Sequence, residues 1–78
     1  MSAAEKLVAA LAKMRHTTPE ALPRDTHLAT IGLLGYHLQA MMWDAGMDVS
    51  LSECANLFER VSDLVRYAED HDARMAKT

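Results

Sequence analysis

Four histidines (His16, His27, His37 and His71) and one cysteine, Cys54, are the residues of this chain with the most chemistry to offer. A zinc site needs ligands at short fixed spacings, such as two histidines on successive turns of a helix. No two of these histidines stand four apart, and no carboxylate or cysteine completes a set at helical spacing. Separate surface histidines are the reading, with no metal and no cofactor. Cys54 lies among Leu51, Phe58 and Val61 on an apolar stripe. A nucleophilic thiolate needs a base and an electropositive setting, so a buried structural cysteine is expected. His37 and Asp44 share a helix face seven residues apart, which does not amount to a convergent acid–base set. The chain reads as a non-enzyme.

The stretch that would have to organise these residues is Leu28 to Ala45, LATIGLLGYHLQAMMWDA, with Asp44 as its one formal charge. At about 100° per residue, Leu28, Ile31, Leu34, Leu38, Met41, Met42 and Ala45 cover one broad face. Tyr36 and Trp43 lie on a second flank, and the polar wedge is Thr30, His37 and Asp44. A helix apolar nearly all round is a central helix or half of an interface. Gly32 and Gly35 inside it leave two readings open. Either they form a bare patch for close approach of another helix, or the helix begins near Gly35 and 26–34 is a shorter element.

Before this stretch, Ser2-Ala-Ala-Glu5 is a capping box opening a helix to about Arg15, with Leu7, Leu11 and Met14 as its apolar stripe. Residues 16–25 form a linker with at most one helical turn, started by Thr18 and Pro19. Asp25 or Thr26 is the expected cap of the central helix. After it, Gly46 sits where a left-handed residue closes a helix, and Ser50-Leu-Ser-Glu53 is a second capping box. Leu51, Cys54, Leu57/Phe58, Val61, Leu64/Val65 and Ala68 then predict one further helix, with residues 71–78 fraying.

Composition narrows the function classes. Seventy-eight residues make one domain at most, and chains this short are often marginal alone. One cysteine allows no internal disulfide and fits a reducing compartment, the cytoplasm. The net charge of −3 argues against a nucleic-acid partner: residues 1–47 hold four Lys/Arg against four acids, and residues 48–78 four against seven. No apolar leader is visible at the N-terminus. His37, Gln39 and Asp44 interrupt the one stretch approaching membrane-span length.

The fold expected is all-α: a short N-terminal helix followed by a long antiparallel helical hairpin over 26–45 and 51–70, a three-helix bundle completed by dimerisation. Its core is Leu28, Ile31, Leu34, Leu38, Met42, Leu51, Cys54, Phe58, Val61, Leu64 and Val65, with Leu7 and Leu11 against it. The first helix offers few large side chains to cover the central one. Gly32, Gly35, Tyr36, Met41, Trp43 and Met47 are therefore the expected surface for self-association or a partner protein. The function expected is that of a small regulator, inhibitor or adaptor acting by protein–protein contact.

One resemblance adds a second reading. Leu22-Pro-Arg-Asp-Thr-His-Leu-Ala-Thr-Ile-Gly32 resembles the segment preceding the modified serine of acyl and peptidyl carrier proteins. Val49-Ser-Leu51 and Leu57-Phe-Glu59 are similar to their later part. The carrier pattern has a serine just after Gly32, usually as Asp-Ser-Leu, where this chain has Leu33-Leu-Gly-Tyr36. The resemblance implies four short helices with a break near Gly35 and no phosphopantetheine attachment point: a carrier-like subunit of a biosynthetic enzyme without the prosthetic group.

Overall fold

The computed structural model describes residues 2–76. Four α-helices, α1 (Ala3–Met14), α2 (Tyr36–Asp44), α3 (Leu51–Leu57) and α4 (Val61–Ala76), are joined by loops carrying 3₁₀ turns at Pro19–Ala21 and Leu28–Ile31. The all-α class is as expected; the long hairpin is not. Both of its arms are broken.

Helix α1 starts as the sequence indicates. The Ser2 Oγ accepts from the Glu5 amide, and the Glu5 carboxylate accepts from the Ser2 amide. A second cap comes from far along the chain: the Asp72 carboxylate accepts from the Ala3 and Ala4 amides. The amides of a helix's first turn have no partner within the helix, so an anion there satisfies them and complements the helix dipole. This cap fixes α1 along α4, and Leu7, Val8 and Leu11 of α1 are buried with Leu64 and Ala68 of α4.

Three segments end in the same way. After α1, His16 is left-handed (φ 55°) and donates to Lys13, while Thr17 donates to Ala12. After the 3₁₀ turn, Gly32 (φ 71°) donates to Ala29 and Leu33 to Leu28. After α2, Gly46 (φ 92°) donates to Trp43 and Met47 to Met42. This paired closure satisfies the last carbonyls and folds the next residue back over the helix end. Leu33 with Leu28, and Met47 with Met42, enter the core by this route.

The first break of the expected hairpin follows. Gly32 ends the 3₁₀ turn, Gly35 (φ 57°, ψ −126°) redirects the chain, and α2 begins at Tyr36. The break reading of the two glycines is the correct one, and no helix approaches them: a Cβ at either would meet nothing within 4 Å. The expected cap by Asp25 or Thr26 is also corrected, since the residue before the 3₁₀ turn is His27, which makes no side-chain cap.

The second break, between α3 and α4, has no glycine or proline behind it. Phe58 is extended (φ −120°, ψ 120°) and buries its ring edge-on against Tyr67, with centroids 5.2 Å apart. The freed backbone pairs with the loop after the linker: Leu28 donates to Glu59, Val61 to Thr26, and Ser62 to Arg24. Asp63 accepts from both the Glu59 and Arg60 amides and so caps α4. Helix α4 then runs to Ala76, so residues 71–76 are helical where fraying was expected; residues 77–78 lie outside the described region.

The core holds Leu7, Leu11, Leu28, Leu38, Met42, Cys54, Phe58, Val61 and Leu64 as expected, with Ile31 and Val65 partly buried beside them. It also takes Leu22, Leu33, Met47 and Val49. Leu34 and Leu51 are exposed rather than buried. The breaks shift the helical register, so Leu33 faces inward where Leu34 was expected.

Candidate functional site

The residues with reactive side chains do not converge. Cys54 is 3% exposed; burial first, and the neighbouring Glu53 carboxylate second, push its thiol pKa up, away from the thiolate a nucleophile needs. His27 meets Glu59 at 3.6 Å in an exposed pair. His37, Asp44 and Lys6 line a cleft between α1 and α2 with Met41, but among the described residues no side-chain hydrogen bond or ion pair joins these three polar groups. Among the described residues no three His, Cys, Asp or Glu side chains are grouped to hold a metal ion. No helix among them is long and apolar enough to cross a membrane.

What the structure does present is an unusual set of exposed apolar side chains. Tyr36 is 75% exposed, Trp43 55% and Leu34 51%, and Leu51 and Leu57 at the two ends of α3 are exposed as well. Single exposed apolar residues need no explanation, but several large ones on two adjacent short helices do. Of the surface expected from sequence, Tyr36 and Trp43 are displayed on α2, seven residues apart and so on one flank. Met41 is partly buried against the core, and Gly32 and Gly35 lie in the loop before α2. Met47, 1% exposed, is a core residue and cannot be reached by a partner. Its position three residues past the end of α2, just after the left-handed Gly46, was the sequence signal for its burial.

Trp43 is held rather than loose. Its indole Nε1–H donates to the Val49 carbonyl at 3.2 Å, and the Gln39 Nε2 donates to the same oxygen at 3.0 Å. The loop after α2 thereby sets the orientation of the ring, which anchors at interfaces benefit from because little side-chain freedom is left to lose on binding.

Large apolar side chains are also exposed at Met14 of α1 and Met75 of α4, but the charges of the sequence divide more sharply. Between Asp25 and Glu59 there is no lysine or arginine, while five acids (Asp25, Asp44, Asp48, Glu53 and Glu59) fall there. All eight Lys/Arg lie outside this segment of the sequence, and one of them, Lys6 on α1, lines the cleft with Asp44. Dividing the sequence in half hides the segregation; the backbone pairing of residues 24–28 with 59–62 makes it visible.

Among the described residues the fold is a small bundle of four α-helices, with Tyr36 and Trp43 exposed on α2 and Leu51 and Leu57 exposed on α3. No family model matches the chain, and neither does any curated protein or solved structure.

Proposed function

We propose that this chain is a non-enzymatic binding module, a carrier-like helical bundle without the phosphopantetheine serine, that docks a partner protein through the α2–α3 side. The observation that carries the reading is the display of Leu34, Tyr36, Trp43, Leu51 and Leu57 on a segment devoid of Lys and Arg. Aromatic anchors on a charged rim suit a protein surface. The break at Gly35 and the four short helices agree with the carrier-like reading rather than with a continuous hairpin. The serine of that pattern would fall within Leu33–Tyr36, so the module works by contact and not by carrying a thioester, as an adaptor or regulator or as a subunit of a biosynthetic enzyme. The buried single thiol suits a reducing compartment such as the cytoplasm.

Charge favours a partner with basic residues over a second copy of this chain. Two copies meeting through this side would bring two sets of acids together without a compensating Lys or Arg from the same segment. Light scattering across a dilution series separates the two: a monomer agrees with a foreign partner, and a stable dimer abolished by Trp43→Ala would establish self-assembly as the use of this face. Photo-crosslinking groups placed at Tyr36 and Trp43, with Arg66 on α4 as the control, test the docking side itself. The expected result is one discrete adduct from positions 36 and 43 and none from 66. With the cross-linked protein purified, Trp43→Ala should weaken its binding by at least about 1 kcal/mol. Adducts formed equally from all three positions, or an unchanged dissociation constant, would sink the reading.

A further inference from the structure

We infer that Trp43 and Asp48 form a receptor site for one arginine side chain of the docking partner, with the guanidinium over the indole and the Asp48 carboxylate beside it. The inference rests on the docking reading above and adds the chemical group recognised.

A shallow, open depression of ≈ 390 Å³ at the end of α2 is lined by Trp43, Gly46, Met47 and Asp48. Each lining residue has a separate reason to be there. Gly46 takes a left-handed backbone to close α2 and brings no side chain into the space; a Cβ there would meet nothing within 4 Å. Met47 is 1% exposed, so its side chain belongs to the core and leaves the space to Trp43 and Asp48. Trp43 forms the aromatic wall, oriented by its hydrogen bond to Val49. That carbonyl already receives two donors, Gln39 and Trp43, so it is not left to compete for a ligand. The one charged residue that lines the depression is the exposed Asp48.

A fixed indole and a carboxylate around an open space suit an organic cation. Trp is the aromatic side chain that attracts cations best, and arginine the side chain most often found over it. Arginine's flat, weakly hydrated guanidinium stacks on a ring while directing N–H groups sideways to a carboxylate, which the compact lysine ammonium does less well. No Lys or Arg lines this space, and among the described residues Asp48 makes no ion pair. An acidic, aromatic cleft with no internal cation is complementary to a partner that brings one.

Trp43 is the single tryptophan of the chain, so its indole N–H is a site-specific reporter. The full chain is titrated with Nα-acetyl-arginine amide and, separately, with the uncharged isostere Nα-acetyl-citrulline amide, following indole and backbone amide NMR shifts. Saturable shifts centred on the Trp43 indole and the amides of residues 46–48 are expected with the arginine compound. Binding of the citrulline compound should be weaker by about fivefold or more, as expected for loss of a cation–π contact and its ion pair. Asp48→Asn should weaken the arginine compound about threefold while leaving the rest of the spectrum in place. Equal responses to both compounds, shifts centred elsewhere, or no effect of Asp48→Asn would overturn the site. Because the probe needs no partner protein, failure here with cross-links still forming at Tyr36 rejects the receptor site alone. Probe binding with cross-links forming only at Arg66 rejects the docking face instead.

Discussion

The carboxylate of Asp72 accepts a hydrogen bond from the Ala3 amide at 2.9 Å, joining the last helix to the first across 69 positions of sequence. Ala4 donates to the second carboxylate oxygen at 3.0 Å. The Ala4 hydrogen bond first, with those from Ala3 and the Ser2 side chain and the nearby His71 adding to it, holds the Asp72 carboxyl below its ordinary pKa against the opposing effect of desolvation. A carboxyl whose pKa is depressed on folding contributes stability that is present above its unfolded value, near 3.9, and is lost as pH falls through the folded value. Urea unfolding of the native chain and Asp72→Asn should therefore differ most near neutral pH, and the two curves should converge as pH falls below the ordinary carboxyl range and through the depressed folded value. A difference that persists undiminished in acid would show that the carboxylate's charge is not what matters.

The register shift around Gly32 yields a sharper contrast. Leu33 is buried and its neighbour Leu34 is displayed. Leu33→Ala should cost about 2–5 kcal/mol in chemical denaturation, as a large-to-small core change does. Leu34→Ser should stay within about 0.5 kcal/mol, as surface changes do. The reverse order would restore the continuous amphipathic helix.

Two left-handed positions carry opposite expectations. Gly35 has φ 57° with ψ −126°, a combination that L side chains rarely adopt, although the space around it is empty. Gly35→Ala should destabilise by about 1–2 kcal/mol through backbone strain alone. His16 has φ 55° despite its Cβ. His16→Gly should raise stability by roughly 0.5–1 kcal/mol. Thermal unfolding of both variants, read against the native chain, checks the pair.

Cys54 should react with a thiol reagent at neutral pH only as fast as the chain opens. Its modification rate should rise by orders of magnitude in denaturant, because burial both hides the sulfur and disfavours its thiolate. Rapid stoichiometric labelling of the native chain would mean that α3 is not seated on the core.

Much of this fold was legible from local chemistry. Ser2 with Glu5 and Ser50 with Glu53 mark the starts of α1 and α3, and both capping boxes form. Thr18 and Pro19 start a single 3₁₀ turn, and Gly46 closes α2. The two breaks were not equally legible. Gly32 and Gly35 signalled the first, but spacing alone could not choose between a break and a close helix contact. The second, at Phe58, depends on backbone pairing with residues 24–28 and on the Tyr67 ring, both distant in sequence. For the candidate face, Tyr36 and Trp43 were readable because no neighbouring helix was rich enough to cover them. Leu34 and Leu51 were misassigned because an apolar residue at helical spacing looks like core until the register is known. The Trp43–Asp48 cleft was unreadable, since a tight turn rather than a periodicity brings its walls together.

The pairing of Leu28 with Glu59 has a topological consequence. It cinches the chain at a neck, so that α2 and α3 form a closed loop whose entry and exit lie side by side. Arg24 and Arg60 stand just outside that neck, and the Arg60 guanidinium reaches the Asp25 carbonyl across it. The sign of charge changes where the loop closes. A mixed-charge base of α1 and α4 thus carries a negative loop clasped at its root, and the loop stays fastened to that base because Leu38, Met42 and Cys54 share one core with Leu7 and Leu64.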